Sequence, residues 1–453
     1  YRIPLINIIK DEGIGYYQTA YPLYVLLLTI STSGFPVAIA KLVSEKRALG
    51  DYKGAHKVFK VAFFGLLIAG ILTSLFVFTN AKKIVEILGN ENAYYSLVAL
   101  VPALFFVPIM ASFRGFFQGR QSMTPTALSQ IAEQFFRVVV GLTLTYYLLD
   151  RGKPIAAGGA SFGGSIGAMA GAIVMIIIYI SRRKEIVKEI GTNINDREEP
   201  VSKIIKDLLI IAIPITIGAA IAPIMNSIDT LFVIKRLQSI GYSKLEANKL
   251  YGQLTGLAQT LINLPQVFSM ALAISLVPAI SEANARKKYN EIRKITSSGI
   301  RVTLLIGLPC AFGLFVLATP IVNLLYYKNT AESIASTGGI LTILSFGVIF
   351  LTLVQSLTAI LQGLGRPLIS VVNLFIGAVV KIFLTFVLTG IRAINVKGAA
   401  ISTLAAYLIA AVLDLIAVKK YTKLKLETKD LFIKPLLASL GMALVAKLTH
   451  SGM

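Results

Sequence analysis

Apolar residues run through this chain in blocks, not in stripes. Windows of 18 or more recur from end to end, each long enough to cross a hydrocarbon core of about 30 Å. Backbone in lipid must satisfy its own hydrogen bonds, so the blocks predict helices. The period-2 alternation of an outer-membrane barrel is absent. The run Ile3–Ile9 reads as the tail of a first helix whose start is missing, so no targeting segment can be judged. The next spans are 21–43, 58–79, 97–118, 124–149, 155–180, 206–234, 252–280, 300–326, 337–362, 367–391 and 398–418. A further stretch, 431–449, is long enough for a thirteenth. The expectation is an all-α polytopic membrane protein of about 12 spans.

The polar connections alternate in charge. Loops after even-numbered helices hold Lys46, Arg47, Lys53 and Lys57; Arg114 and Arg120; Arg182, Arg183, Lys184 and Lys188; Arg286 to Lys294; and Lys419 to Lys425. Those after odd-numbered helices hold fewer, with 235–249 as the exception. By the positive-inside rule the even-numbered ends face the cytoplasm. The predicted organisation is an N-terminal lobe over 1–190, a cytoplasmic linker over 191–205, a C-terminal lobe over 206–425 and an additional helix within 426–453.

The halves repeat. Ser44-Glu45 returns as Ser281-Glu282 at an offset of 237, with Tyr52 on Tyr289, Lys57 on Lys294 and Ile84-Val85 on Ile321-Val322. Gln118-Gly119 returns as Gln362-Gly363 at 244, which places Arg137 on Lys381, and Gly159-Ala160 matches Gly398-Ala399 at 239. Six helices per half is an even number, so both halves enter from one side. Such a parallel repeat is typical of transporters whose two bundles rock about a central site.

Composition agrees: 55% of residues are hydrophobic and 15% charged, against about a quarter charged in a soluble domain. The net charge of +22 lies in short runs between apolar windows, which argues against a nucleic-acid partner. The single cysteine, Cys310, permits no intramolecular disulfide, and no thiolate metal site can be built. There is no Walker motif, dinucleotide loop or metal-ligand cluster. The expectation is a non-enzymatic transporter without metal or cofactor, with coupling to Na+ or H+ left open.

Ionisable residues at membrane depth carry the most information, because each costs several kcal/mol unless paired or wetted. Arg137 and Lys381 occupy equivalent positions in helices five and eleven; they either line a cavity or snorkel to the nearer interface. Glu133, four residues before Arg137, falls on the same helical face and is placed to neutralise it. Asp229, with Asn226 one turn earlier, either binds a coupling cation or ties off Arg2 or Arg137. Gln253, Gln259, Asn263 and Gln266 predict a polar stripe on helix eight, suited to sugar hydroxyls or to joining helices.

The stretch 1–45, beginning YRIPLINII and ending GFPVAIAKLVSE, closely resembles the stage V sporulation protein B group of polysaccharide-transport proteins. So do GFFQGRQSMTPTALSQIAEQFFRV (115–138), NSIDTLFV (226–233) and ILQGLGRP (360–367). That group belongs to the multidrug/oligosaccharidyl-lipid/polysaccharide exporter superfamily, with the MurJ lipid II flippases and the multidrug extruders. The resemblance implies two six-helix lobes, alternating access, a bacterial cytoplasmic membrane and a Gram-positive, spore-forming source. It implies an undecaprenyl-pyrophosphate-linked glycan as substrate, of the kind used in peptidoglycan biosynthesis, and cell-wall synthesis enzymes as neighbours.

Arg2 falls where MurJ-type flippases carry an arginine of the first helix, which implies an anion-binding role for it. Two positions depart from that pattern. Pro22 is followed by Leu23, Tyr24, Val25, Leu26 and Leu27 where the flippases have an arginine pair, and Thr260 precedes Pro265 where they have an arginine. The expected substrate set is therefore Arg2, Arg137 and Lys381 on the pyrophosphate, with Gln259 and Asn263 on the sugar. Glu133, Asn226 and Asp229 are left for charge pairing or ion coupling. The alternatives are a cation-coupled multidrug extruder, which calls for a more acidic cavity, and a membrane scaffold, which has no need of a repeat.

Overall fold

The computed structural model describes residues 1–193, 199–424 and 433–451. Lys425, the centre of the 191–205 linker and the start of the 426–453 segment lie outside the described residues. In chain order the helices are α1 (Arg2–Thr32), α2 (Phe35–Ala48), α3 (Tyr52–Ile87), α4 (Tyr94–Gly119), α5 (Thr124–Tyr147) and α6 (Lys153–Ser181). They continue with α7 (Arg183–Gly191), α8 (Val201–Ser239), α9 (Lys244–Gly252), α10 (Gln259–Ile262), α11 (Gln266–Ala285) and α12 (Tyr289–Val316). The last are α13 (Ala318–Leu325), α14 (Ala331–Gly363), α15 (Pro367–Thr389), α16 (Lys397–Thr422) and α17 (Lys434–Ser451). No strand occurs among the described residues, and ten helical stretches are long and apolar enough to cross a membrane. The fold class is the one the apolar blocks predict.

Local chemistry sets the helix ends. Asp51 caps α3 by accepting from the Gly54 N–H at 2.7 Å, and Thr330 caps α14 through the Ser333 N–H. Ser243 and Glu246 form a reciprocal capping box at α9. Pro36, Pro125, Pro154 and Pro367 stand in the first turns of α2, α5, α6 and α15, where a missing N–H costs nothing.

Three differences from the expected spans have identifiable causes. The first two spans run together over 2–48, interrupted at Lys10 (φ 60°, ψ −171°) and again at Ser33-Gly34. The expected helix over 252–280 is broken. Residues 253–258 form a π-helical segment, and a turn at 263–265 separates α10 from α11, because Pro265 has no N–H to offer the turn before it. The expected helix over 300–326 is likewise split at Leu317 into α12 and α13. α5 is helical but is not among the ten stretches long and apolar enough to cross a membrane, since Gln130, Glu133, Gln134 and Arg137 lie along it.

The chain divides into two compact units, one of Tyr1, Ile3–Ile9 and Tyr16–Ser227, the other of Arg2, Lys10–Gly15 and Ile228–Met453. This division falls inside α8, not in the 191–205 linker. The early part of α8 stays with the first unit because Ile204, Leu208 and Ala212 are buried in that unit's core. The core of the first unit also takes Ile39 and Val43 from α2, Val58 and Leu66 from α3 and Phe113 and Phe117 from α4. The second unit buries Ile280, Ile300, Leu357 and Val418 together.

Candidate functional site

In the first unit, α6 is built to let α5 approach closely. Gly159, Gly163, Gly167 and Gly171 recur every fourth residue and so share one face. A methyl added at Gly167 would stand 2.5 Å from the Glu133 carbonyl oxygen, and one added at Gly159 would stand 3.1 Å from the Leu144 carbonyl carbon. This small-residue face fixes α5 and hence the height of its two charged residues, Glu133 and Arg137.

Those two meet as their spacing predicts. Arg137 Nη2 donates to Glu133 Oε1 at 3.1 Å, and the second carboxylate oxygen accepts from Arg114 Nη2 on α4, also at 3.1 Å. Arg114 Nε donates to Ser129 Oγ, which holds its guanidinium plane. Two guanidinium groups therefore share one carboxylate, leaving the trio one positive charge in excess. Arg137 Nε is buried and has no hydrogen-bond partner. A cavity of about 240 Å³ opens beside the trio, bounded by Tyr21, Tyr24 and Thr32 of α1 and by Val107 and Met110 of α4. Its wall is apolar except at the tyrosines, the threonine and the charges. A low-dielectric wall strengthens whatever field the charges make. Such a site suits an anion presenting several acceptor oxygens, since a guanidinium offers donors in a fixed fork.

The second unit places the equivalent cation differently. Lys381 Nζ donates to Asp229 Oδ2 at 2.8 Å, and both side chains are 2% exposed. The expectation that Lys381 meets a substrate is corrected here: its charge is spent on Asp229 inside the helix bundle. The expectation that Asp229 ties off Arg2 or Arg137 is corrected by the same contact. Asn226 is exposed on α8 while Asp229, one turn on, is buried, so the two do not form one site. Arg2 Nη1 donates to Thr260 Oγ1 at 3.1 Å.

The polar stripe expected on helix eight does not form. Gln253 is buried, donating to Asp11 Oδ2 at 3.0 Å and accepting from Ser336 Oγ at 2.7 Å. Gln259 is half-buried at the start of α10, and Asn263 is exposed in the turn. The π segment widens the helix and shifts the register of everything after it, so residues that share a face at 3.6 per turn come apart.

Three features escaped the sequence reading. Arg114, whose charge the sequence pattern groups with a cytoplasmic loop, lies inside α4. Asp11 accepts from Gln253, and its N–H donates to Asn329 Oδ1 at 3.0 Å; its partners lie far along the chain. Asp414, 1% exposed, accepts from Asn373 Nδ2 at 2.8 Å and Thr358 Oγ1 at 3.4 Å. A lone acid inside the 398–418 block was its signal.

At the polar end of the first unit, Glu189 of α7 receives Arg47 Nη1 at 2.6 Å and Arg120 Nη1 at 2.7 Å, and Glu185 receives Arg120 Nη2 at 2.8 Å. Partial burial raises the Glu189 carboxyl, but the two guanidinium groups outweigh it and hold it below the usual range.

Two known families match the sequence, between them over residues 1–387. The polysaccharide biosynthesis protein family matches residues 1–284, and the MatE family matches residues 254–387. Stage V sporulation protein B of Bacillus subtilis is 29% identical over 95% of this chain and 81% of its own. Uncharacterized membrane protein YabM of the same organism is 30% identical over 92% and 75%, and its lipid II flippase MurJ is 29% identical over 93% and 79%. A multidrug resistance MATE family transporter in its inward-facing conformation superposes with a TM-score of 0.77 at 13% identity, covering 93% of both chains. The lipid II flippase MurJ in an inward closed conformation gives 0.72 at 17%, covering 99% of this chain and 90% of that one. The fold is thus that of the exporter superfamily. With residues 1–284 matched, this chain belongs to the polysaccharide biosynthesis protein family, and it is a multi-pass transporter of the cytoplasmic membrane, not an enzyme.

Proposed function

We propose that this transporter is a flippase for an undecaprenyl-pyrophosphate-linked glycan, a peptidoglycan precursor of the lipid II type. The observation that carries the reading is the Arg114–Glu133–Arg137 trio beside an apolar-walled cavity, with its surplus positive charge and the unpartnered Nε of Arg137. A pyrophosphate offers several charged acceptor oxygens to match these donors. Lipophilic cations, the cargo of the alternative drug-extruder reading, would meet the wrong sign of charge. The similarity to a lipid II flippase supports the same substrate class, and stage V sporulation protein B and YabM, equally similar, leave room for another polyprenyl-linked glycan. In the second unit Arg2 keeps the anion role implied by the resemblance, positioned by its hydrogen bond to Thr260.

Transport by alternating access draws on an ion gradient or on the membrane potential, which supplies about 2.3 kcal/mol per charge per 100 mV. Cell-wall synthesis enzymes would supply the lipid-linked glycan and consume it.

The test is native mass spectrometry of the purified protein with an undecaprenyl-pyrophosphate glycan and, separately, with a lipophilic organic cation. The expected result is selective retention of the pyrophosphate lipid, lost on Arg137→Ala or Arg114→Ala. Retention of the cation instead, dependent on Glu133, would overturn the flippase reading in favour of a drug extruder.

A further inference from the structure

Asp229 and Asp414 are both buried among the helices of the second unit, and of the two only Asp229 has a counter-ion. Asp414 is 1% exposed and lies about two turns inside the end of α16. The residues three and four positions to either side of it share its face. They are Ala410, Ala411, Ala417 and Val418, all members of the unit's apolar core. Asp414 Oδ1 accepts from Asn373 Nδ2 of α15 at 2.8 Å, and Oδ2 accepts from Thr358 Oγ1 of α14 at 3.4 Å. Both partners are neutral.

The cations of the helices packed on α16, which are α12, α14 and α15, are turned elsewhere. Lys381 of α15 is engaged by Asp229, and α14 contains no lysine or arginine. On α12, Arg293 Nε donates to the Thr422 carbonyl at 3.1 Å, while Lys294 and Arg301 are exposed. Lys397 opens α16, and Lys419 and Lys420 near its end are exposed. Arg366, just before α15, lies over the Tyr421 ring at 4.1 Å. Of the acids, Glu291 is paired with Lys288, and Glu332 stands in the first turn of α14. Tyr407 of α16 and Cys310 of α12 are neutral groups.

A carboxylate in an apolar core without a counter-ion is far costlier than a neutral carboxyl. The hydrogen bonds suit both forms. Asn373 offers its N–H to Oδ1 in either case. A hydroxyl can donate or accept, so Thr358, which donates to a carboxylate, accepts from a carboxyl. Its own hydrogen then needs an acceptor. Gln355, one turn earlier on the same face of α14, has a buried Oε1 with no hydrogen-bond partner. The 244-residue offset also sets Thr358 opposite Arg114 and Asn373 opposite Ser129 in the sequence. In the first unit those two are bonded directly, Arg114 Nε to Ser129 Oγ at 3.1 Å, and in the second Asp414 joins the opposite pair. An acid thus stands where the first unit has a cation. We propose that Asp414, held by Asn373 and Thr358, is a proton-binding site of the second unit. The proton sits on Oδ2 and passes to water at the Lys419–Lys420 end of α16, which the charge pattern assigns to the cytoplasm. Sodium is the poorer ligand, since a hard cation takes oxygens and Asn373 presents its nitrogen.

Infrared spectroscopy of the full chain in lipid reads the proton directly, because a protonated carboxyl has a carbonyl band distinct from that of a carboxylate. At neutral pH the unaltered protein should show such a band, shifted in D2O and lost in Asp414→Asn. Thr358→Val, which removes one hydrogen bond to the carboxyl, should shift the band without abolishing it. The thermal midpoint of Asp414→Asn should stay near that of the unaltered protein, since the amide resembles the neutral acid. Spectra of the unaltered protein and Asp414→Asn that coincide at this band would overturn the proposal, because Asp414 would then be a carboxylate. A band that does not move in D2O would overturn it too, as the proton would be unable to leave. Loss of the band on adding Na+ would make the site a sodium site instead. If Asp414→Asn fails to fold, an unshifted band in Thr358→Val is the overturning result. No lipid-linked glycan is present in these measurements, so failure here leaves the flippase reading untouched.

Discussion

Lys381 and Asp229 form an ion pair of 2.8 Å in which each side chain is 2% exposed. A pair so deep stabilises little over its hydrophobic equivalent, but stranding one partner is costly, of the order of 3–5 kcal/mol. Asp229→Asn and Lys381→Met alone should therefore each lower the thermal midpoint in detergent by many degrees. The double variant Asp229→Leu with Lys381→Met should recover most of the loss. A double variant as unstable as either single one would show that the two charges do not compensate each other.

The same pair shows what the sequence made legible. The 244-residue offset sets Lys381 opposite Arg137 in the sequence repeat, but the two side chains have different surroundings. Arg137 has Glu133 one turn below it on its own helix, a spacing any reader of the sequence can see. Lys381 has Asp229, which lies 152 residues away, and only packing brings them together. The helices were legible because apolar blocks of spanning length admit no other structure in lipid. The breaks were legible in part: Pro265 announced one, whereas the π segment at 253–258 left no mark in the pattern and moved Gln259 and Asn263 off their expected face. Arg114 is hidden for another reason: it sits near the end of the apolar window, where its charge is indistinguishable from that of the adjoining basic loop.

Glu133 competes with any anion for two guanidinium groups. Glu133→Gln should leave both arginines in place and raise retention of an undecaprenyl-pyrophosphate lipid by roughly tenfold, equivalent to about 1.4 kcal/mol. Arg137→Ala should lower it by roughly ten- to a hundredfold, the range for charge-assisted hydrogen bonds of about 1.5–3 kcal/mol. Titration followed by native mass spectrometry reads both. Weaker retention in Glu133→Gln would mean that the carboxylate positions the arginines more than it opposes the substrate.

The glycine face of α6 offers a structural test with its own control. Gly167→Leu forces a side chain into the Glu133 backbone, where even a methyl would stand 2.5 Å from the carbonyl oxygen. Overpacking of this kind costs about 1–3 kcal/mol and more where backbone must move, so this variant should unfold at a clearly lower temperature in detergent. It should also bind the pyrophosphate lipid poorly, because α5 carries the charges. Gly65→Ala, in α3, meets nothing within 4 Å and should be neutral or slightly stabilising, as alanine is the better helix former. Equal behaviour of the two variants would remove the close α5–α6 contact as the cause.

Glu189 provides the pH test, outside the spanning helices. Its folded-state carboxyl is raised by burial but held lower, on balance, by Arg47 and Arg120. A group lowered on folding contributes stability that is complete above its unfolded pKa, about 4.3 for glutamate. That contribution fades as pH falls through the lower folded-state value. Acidification should therefore release α7 from Arg47 and Arg120 only at a pH below the ordinary glutamate range, while Glu189→Gln should release it at neutral pH. Hydrogen exchange of the α7 amides reports the change: protection at pH 7 should drop in the variant towards that of the acidified protein, after correction for the intrinsic rate. If α7 stays equally protected in Glu189→Gln, the helix is held by the burial of Ile186 and the two salt bridges are incidental to it.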